Sequence, residues 1–193
     1  MDPVMCPNCG RPVATEKQLP EYRYKECGLP NVTLHGGVTR TDCPNCGQKH
    51  VRVRKEGQLL QVLALMLLTT PRRLTGPEMK FLRGVCQLSQ ARLAEVLKHR
   101  RETVAERESK KTPNVSEAEE TWFRLAILNA FREQLSKPGR NLLAKSHMQR
   151  LNTFTQNFYK KALELAEREI RRLRLSMRLE PPGDEWQLMD RAA

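Results

Sequence analysis

The pentapeptide Cys-Pro-Asn-Cys-Gly occurs twice in this sequence, at residues 6–10 and again at residues 43–47. The two-residue gap lets both sulfurs of one tight turn face a single ion, and the following glycine accepts the positive φ that such a turn favours. Two such turns supply four thiolates, the closed tetrahedral ligand set of a structural Zn²⁺ site. We therefore predict that Cys6, Cys9, Cys43 and Cys46 bind zinc, and iron is the alternative that the same sulfurs allow.

The stretch between the two cysteine turns contains short alternating runs, such as Tyr22-Arg23-Tyr24 and Val32-Thr33-Leu34, interrupted by glycine and proline. Strands this short are not stable by themselves in water, so metal binding is expected to hold the segment folded. Residues 1–57 are therefore predicted to form a zinc β-ribbon domain. Because four ligands already complete the metal site, Cys27 is interpreted as a small buried residue, with a redox role as the alternative.

The charge and hydropathy of the chain restrict its classes of partner. Lys and Arg number 34 against 22 Asp and Glu, a formal net charge of +12, which favours an anionic partner such as nucleic acid. The longest apolar run, residues 62–68, is far shorter than the roughly 20 residues that span a bilayer, and the N-terminus has no secretory signal pattern. We expect a cytoplasmic protein without membrane contact, in which the cysteines bind metal rather than form disulfides.

Helical signals begin after the ribbon. Residues 58–73 are predicted to form a linker helix that ends before Pro71, and residues 74–135 a separate helical domain. In that domain Thr75-Gly76-Pro77 suits a helix start, Ser89 suits an N-cap, and residues 100–109 form a further helix with Val104 on its inner side. Two short helices joined by a tight turn make a helix-turn-helix, whose second helix normally lies in the major groove of DNA.

The C-terminal third has the longest helical pattern. A capping box at residues 116–119 opens a helix to about Leu135, whose predicted apolar stripe contains Trp122, Leu125, Ala126, Leu128 and Phe131. A second pattern runs from residue 142 to about 179, so residues 136–180 are assigned to a C-terminal helical extension for packing or dimerisation. Residues 181–193 are predicted to be a flexible tail. The predicted fold class is therefore mainly α.

From Cys6 through Glu108 the chain resembles the MqsA/YgiT-like antitoxin-type regulators, which join an N-terminal zinc ribbon to an Xre-type helix-turn-helix. The matching pieces, in the same order, are the two cysteine turns, residues 28–32, Leu74-Thr75-Gly76 with Phe81-Leu82-Arg83, Leu88-Ser89-Gln90 with Leu93-Ala94, and Glu102-Thr103-Val104 with Glu108. The resemblance implies a homodimer that binds double-stranded operator DNA as a repressor. Many such regulators also neutralise a partner toxin, with the ribbon as the toxin-facing part. We therefore expect a toxin or another protein as a partner of the ribbon or of the C-terminal helix, although the helical extension has no counterpart in the short members of the family.

The positions that the resemblance places at DNA lie in and around the second helix: Gln90, Lys98, Arg100, Arg101, Glu102, Thr103, Ala105, Glu106, Ser109 and Lys110. Lys98 replaces the usual turn glycine, Arg100 the usual N-cap serine, and Arg107 a buried aromatic residue. Carboxylates at Glu102 and Glu106 can accept from a cytosine amino group, but nearby phosphates repel them. The alternative function is therefore a non-enzymatic adaptor that docks into a larger protein or nucleoprotein assembly with a degenerate recognition helix.

No catalytic motif stands out in the sequence. It contains no phosphate-binding glycine-rich loop and no HExxH motif, and its four histidines are scattered at positions 35, 50, 99 and 147. A metal site made of four thiolates also has no open coordination position for a substrate. The protein is therefore predicted not to be an enzyme.

Overall fold

A computed structural model of the protein describes residues 4–13, 16–172, 177–180 and 185–188. The chain is mainly helical, with a small antiparallel sheet near its N-terminus, which confirms the predicted fold class at this level. It divides into two compact units, Met1–Asn152 and Thr153–Ala193. Among the described residues, no helix is both long and apolar enough to cross a lipid bilayer.

Five short strands build the N-terminal part of the first unit. Strands β1 (Val4–Met5) and β2 (Pro12–Val13) pair antiparallel on either side of the first cysteine turn. Strands β3 (Glu16–Arg23), β4 (Thr33–Asp42) and β5 (Lys49–Val53) form an antiparallel sheet in the order β3-β4-β5. The second cysteine turn connects β4 to β5, so each cysteine turn is the turn of a β-hairpin.

The remaining elements of the first unit are helices: α1 (Glu56–Thr69), α2 (Gly76–Val85), α3 (Gln90–Leu97), α4 (Arg101–Ser109) and α5 (Glu117–Ser136). The sequence predicts their starts well. Thr75 and Ser116 each form a capping box with the glutamate three residues later, and Ser89 accepts a hydrogen bond from the backbone N–H of Arg92. A buried tyrosine, Tyr24, joins the ribbon to α1 by donating its hydroxyl to the carboxylate of Glu56.

The helices of the first unit bury a core that includes Leu82, Leu93, Ile127, Leu128 and Phe131. The apolar stripe of α5 is rotated from the predicted one. Its buried face contains Phe123, Ile127 and Phe131, which recur every four residues, whereas Trp122 is 50% exposed. The placement of Trp122 on the buried stripe is therefore wrong, because the neighbouring Phe123 faces the core in its place.

The predicted C-terminal helix ends earlier than expected. Helix α6 (Lys145–Arg172) begins in the first unit and continues into the second, but Met177–Glu180 is a strand, β6, which pairs antiparallel with β7 (Glu185–Leu188). The prediction that the helix continues to about residue 179 is therefore wrong, because Met177–Glu180 forms β6. Within the predicted tail, Glu185–Leu188 forms strand β7. In the sequence, Arg168, Arg171, Arg172 and Arg174 have the spacing at which like charges repel along a helix.

The sequence contains a turn signal between β6 and β7, and this signal is inconsistent with a continuous helix. Pro-Pro-Gly-Asp separates them in the sequence, and proline followed by glycine is a turn signal. Residues 173–176, 181–184 and 189–193 lie outside the described part of the chain. Within the second unit, the rings of Phe154 and Phe158 stack on one face of α6 with their centroids 5.2 Å apart.

Candidate metal centre and nucleic-acid interface

The two cysteine turns have the same backbone geometry. The N–H of Cys6 donates to the carbonyl of Arg11 and the N–H of Gly10 to the carbonyl of Cys6, and the second turn repeats both bonds between Cys43, Gln48 and Gly47. The two glycines have φ of 67° and 69°, which explains why glycine ends each pentapeptide. Identical sequences have therefore folded into identical turns, each presenting two sulfurs.

The hairpins bring together the four predicted ligands. All four ligand sulfurs lie within 4.8 Å of one another. Cys6 and Cys46 have their sulfurs 3.7 Å apart, and so do Cys9 and Cys43. Four sulfurs in a tetrahedron around zinc, at bonds of about 2.3 Å, would be about 3.8 Å apart, whereas a disulfide bond measures about 2.05 Å. The sulfurs are therefore spaced to bind a metal ion and not as disulfides.

Hydrogen bonds favour the thiolate form at the two sulfurs of the second cysteine turn. In the first turn the backbone N–H of Arg11 also favours the thiolate of Cys9, but burial and the three other sulfurs raise the pKa of Cys9 to about 11. Backbone N–H donors, first that of Cys46 and then that of Asn45, lower the pKa of Cys43 to about 6. The backbone N–H of Gln48 and the side chain of Asn8 lower the pKa of Cys46. Asn8 belongs to the first turn and Cys46 to the second, so the side chain of Asn8 joins the two turns.

His50 contacts the metal centre from strand β5. Its Nε2 atom lies 3.3 Å from the sulfur of Cys6, and the side chain is half-buried. It is not among the residues whose ligand atoms all lie close together. His50 thus lies outside the four-cysteine cluster, within hydrogen-bond distance of one of its sulfurs. No motif in the sequence assigns a role to this histidine.

The two other cysteines lie apart from the cluster. Cys27 is half-buried and its thiol donates to the carbonyl of Tyr24 at 3.4 Å. Cys86 is fully buried in the helical core, and burial raises the pKa of its thiol to about 12. A thiol with so high a pKa is inert at neutral pH. Cys86 is therefore a core side chain, whereas Cys27 is half-buried and not the buried residue that the sequence predicts.

Helix α4 lies after α3 and a three-residue connection, Lys98–Arg100. The side chains of Val104 and Glu108, on the inner face of the helix, are buried. The residues that the sequence assigned to DNA occupy the rest of the helix and its flanks, and they divide into two groups. Seven of these side chains are exposed: Lys98, Arg100, Arg101, Glu102, Glu106, Ser109 and Lys110. The other three are half-buried: Gln90, Thr103 and Ala105.

Three of the predicted DNA-facing side chains have partners at the C-terminal end of α4. The carboxylate of Glu106 forms an ion pair with Lys110 one turn later, which lowers the pKa of Glu106. The hydroxyl of Ser109 donates to the carbonyl of Glu106. The negative charge of Glu106 is therefore partly neutralised, while Glu102 in the first turn stays exposed.

A buried ion pair that the sequence analysis did not identify fixes α4 against α2. The guanidinium of Arg83 donates to both carboxylate oxygens of Glu108, at 2.6 and 2.9 Å, and to the carbonyl of Leu88 at 2.7 Å. Gln90 donates to the same carboxylate at 2.9 Å. The amide nitrogen of Gln90 is thus bonded inside the protein, although we predicted a DNA contact for this side chain.

The departures at Lys98 and Arg107 from the pattern of the antitoxin-type regulators have a structural explanation. Lys98 adopts the left-handed conformation, with φ of 55°, at the position where the family has glycine. Arg107 is bonded to the carboxylate of Glu119, so an ion pair stands where the family pattern has an aromatic residue. His99 lies 3.9 Å from the same carboxylate. These polar contacts join the α3–α4 connection and α4 to the first turn of α5.

Position 76 requires a glycine because the backbone at the C-terminal end of α4 lies close to it. Its N–H donates to the carbonyl of Lys110 at 3.0 Å, and a Cβ atom at this position would lie 2.2 Å from that oxygen. The Leu-Thr-Gly sequence therefore marks the place where the start of α2 meets the end of α4.

Comparisons with protein-family models, with curated proteins and with solved structures found no match to the chain. The resemblance to antitoxin-type regulators thus stays a prediction from the sequence motifs.

Proposed function

We propose that the protein is a DNA-binding transcriptional repressor of antitoxin-like design, in which a structural zinc ribbon is joined to a helix-turn-helix formed by α3 and α4. Helix α4 of each copy in a homodimer inserts into the major groove of operator DNA. Two half-sites about one helical turn apart would then match the two copies. No step of this function requires catalysis.

The observation that carries the proposal is the distribution of charge around α4. Val104 and Glu108 anchor one side of the helix in the protein, and the opposite side is open. Five exposed basic residues flank this open side: Lys98, Arg100 and Arg101 before or at its start, and Lys110 and Lys111 at its end. Basic side chains at both ends of an exposed helix fit phosphates on the two sides of a groove.

The cysteine cluster supports a structural role for the metal. Cys6 and Cys43 are buried, and four sulfurs at tetrahedral spacing leave no position for a substrate. Strands of two to ten residues contribute little stability alone, so the ion would hold β1 to β5 folded. We propose Zn²⁺ as this ion. Metal analysis of the purified protein tests it, and less than about one equivalent of zinc per chain refutes it.

The test of DNA binding is a gel-shift titration on the intergenic DNA upstream of the gene, at several salt concentrations. Arg101→Ala removes an exposed cation at the first turn of α4, and it should weaken binding and reduce the salt slope by about 0.9. Arg23→Ala removes an exposed arginine of the ribbon and serves as the matched control. Absence of a specific band at moderate salt would overturn the repressor function.

A second candidate function is a non-enzymatic adaptor in a larger protein or nucleoprotein assembly. Glu102, exposed in the first turn of α4, favours it, because a carboxylate there repels phosphates. A steep salt dependence without sequence preference supports this function over repression. Co-expression with the product of the neighbouring gene tests for a partner toxin, since an antitoxin should co-purify with it.

A further inference from the structure

The connection between α5 and α6 lies in the longest stretch of the sequence without a carboxylate side chain. Residues 134–163 contain six lysines and arginines, and all 22 aspartates and glutamates of the chain lie outside this stretch. Its other polar residues are mainly amides and hydroxyls, which donate hydrogen bonds to phosphate oxygens. A surface that has only to stay soluble carries charges of both signs, so this composition favours an anionic partner.

The backbone of the connection is held on α1 by two glutamine side chains. Gln61 donates to the carbonyl of Arg140 at 2.6 Å and accepts from the N–H of Leu142 at 3.0 Å. Gln58 donates to the carbonyl of Leu142 at 2.8 Å. These three hydrogen bonds fix an otherwise exposed loop. Its side chains are therefore already ordered for a partner, which lowers the entropy cost of binding.

Four exposed cations surround this loop, and together we call them the basic connection: Lys137, Arg140, Lys145 and Arg150. Lys137 and Arg140 are the ends of a tight turn, closed by a hydrogen bond from the N–H of Arg140 to the carbonyl of Lys137. Arg150 donates to the hydroxyl of Thr69, which leaves its charge unneutralised. Among the described residues, the one carboxylate paired with any of the four is Glu133, 3.8 Å from Lys137. The positive charge of the basic connection is thus mostly uncompensated.

The basic connection lies at the opposite end of α5 from the proposed recognition helix. Glu119, in the first turn of α5, forms an ion pair with Arg107 of α4, whereas Lys137 follows the last residue of α5. At 1.5 Å per helical residue, Glu119 and Lys137 are about 27 Å apart along the helix axis. The basic connection is therefore a surface separate from the cations that flank α4.

We propose that the basic connection binds the phosphate backbone of double-stranded DNA of any sequence, as a second DNA contact in addition to α4. Its four cations match closely spaced phosphates, and the exposed side chains of Ser146 and Gln149 add uncharged donors. A membrane surface would instead require several exposed apolar side chains among the cations. Of residues 137–150, Leu142 is the one large apolar side chain that is exposed.

This surface goes beyond the proposed repressor function, because it requires no operator sequence. The two fail in different ways. If the protein binds random-sequence DNA through the basic connection and gives no specific band on the upstream DNA, the repressor function fails and the surface stands. If a specific band forms and removal of the cations leaves its salt dependence unchanged, the surface fails and the repressor function stands.

Fluorescence anisotropy of the zinc-loaded full-length protein with a random-sequence DNA duplex, at several salt concentrations, measures this binding. The triple variant Lys137→Gln, Arg140→Gln, Lys145→Gln should reduce the salt slope by about 2.7, which is 0.9 for each lost phosphate contact. It should also weaken binding by about tenfold or more at 0.1 M salt. A wild-type protein that does not bind the duplex, or an unchanged slope in the triple variant, overturns the proposal.

Two control variants separate charge at this surface from total charge and from damage to the fold. Lys17→Gln, Lys25→Gln, Lys49→Gln removes three exposed cations of the ribbon and should leave the slope unchanged. Lys137→Arg, Arg140→Lys, Lys145→Arg keeps the charges of the basic connection and should bind as the wild type does. An equal loss of slope in the ribbon variant would show that net charge alone is responsible, and would overturn the proposal.

Other anionic partners are distinguished by the same variants. Single-stranded RNA and vesicles of phosphatidylglycerol should bind less tightly than the DNA duplex at equal salt, and tighter binding of either through the basic connection overturns the proposal. A photo-crosslinking amino acid in place of Leu142, which is 44% exposed, should capture the random-sequence duplex. The same amino acid in place of Val51, which is 38% exposed on the ribbon, should not. Equal capture at both positions, or none at position 142, contradicts the assigned surface.

Discussion

The Nε2 atom of His50 lies 3.3 Å from the sulfur of Cys6, although the two residues are 44 positions apart in the sequence. Cys6 belongs to the first cysteine turn, and His50 to the strand that follows the second. A hydrogen bond between them therefore joins the two hairpins next to the ligand cluster. Hydrogen bonds of this kind orient a metal ligand and stabilise its charge.

Replacing His50 should weaken metal binding without removing a ligand. His50→Ala is expected to lower the affinity for zinc by about 10- to 100-fold, as is typical when the outer partner of a metal ligand is lost. His50→Gln keeps an N–H donor near Cys6 and should restore part of the affinity. Competition with a coloured chelator measures the zinc affinity of the wild type, His50→Ala and His50→Gln.

The control for this experiment is His35→Ala, which removes an exposed histidine of strand β4. It should retain zinc as the wild type does. Equal zinc affinity in His50→Ala and His35→Ala would contradict a role for His50 at the metal centre.

Breaking the buried ion pair between Arg83 and Glu108 should destabilise the helical part of the first unit. Only 14% of the Arg83 side chain and 4% of the Glu108 side chain is exposed, so removal of one partner leaves an unpaired charge in the core. Arg83→Met is expected to lower the free energy of unfolding by about 3–5 kcal/mol. Urea denaturation followed by circular dichroism measures this change.

The double variant Arg83→Met, Glu108→Leu distinguishes two causes of lost stability. One is the cost of burying the carboxylate of Glu108 without a partner, and the other is the loss of the attraction between the two charges. It should be more stable than Arg83→Met alone, because it leaves no buried carboxylate without its cation. Gln90 donates to the same carboxylate and would lose its acceptor in the double variant. A double variant less stable than Arg83→Met would contradict this explanation, because the unpaired carboxylate would then not be the source of the lost stability.

The features that the sequence predicted correctly are those with short-range causes. Each of these signals acts within one turn of backbone. They are two residues between cysteines, a serine or threonine three positions before a glutamate, and a glycine after a turn. These signals located the cysteine cluster, the starts of α2, α3 and α5, and the general division into ribbon and helices. They required no knowledge of distant neighbours.

The features that the sequence did not predict depend on residues far apart in the chain. Arg124 is buried because its guanidinium reaches the carbonyls of Leu67 and Leu68 at the end of α1, as well as the carboxylate of Glu120. A periodic pattern assigns such an arginine to solvent, and Trp122 to the core, when the neighbouring elements are unknown. The partner of Arg83 likewise lies 25 residues away.

The stability of the protein should fall in acid partly through Glu119. Two hydrogen bonds from Ser116, first from its N–H and then from its hydroxyl, and the nearby Arg107 lower the pKa of Glu119 from its ordinary value of 4.5 to about 2. A carboxyl whose pKa is lower in the folded state stabilises the fold above pH 4.5. This stabilisation is lost as the pH falls from 4.5 towards 2.

Glu119→Gln keeps the capping acceptor but removes the charge that pairs with Arg107. Because about a third of the Glu119 side chain is exposed, solvent screening limits the cost at neutral pH to about 1 kcal/mol. The variant should also lose less stability than wild type between pH 4.5 and 2. Thermal unfolding across this pH range measures the effect, with Glu21→Gln on the ribbon as the control. An unchanged pH profile would contradict the assigned role of Glu119.

The two glutamates of α4 should affect DNA binding in different ways. Glu102 is exposed, so Glu102→Gln removes repulsion from phosphates and should raise affinity several-fold without a new phosphate contact. Glu106 holds Lys110 in an ion pair, so Glu106→Gln releases this lysine for a phosphate. The salt slope should then steepen by about 0.9, the value for one additional contact. Gel shifts at four salt concentrations, with Glu95→Gln on α3 as the control, distinguish the two effects. If neither substitution changes affinity or slope relative to Glu95→Gln, α4 does not face DNA, and the adaptor function is favoured.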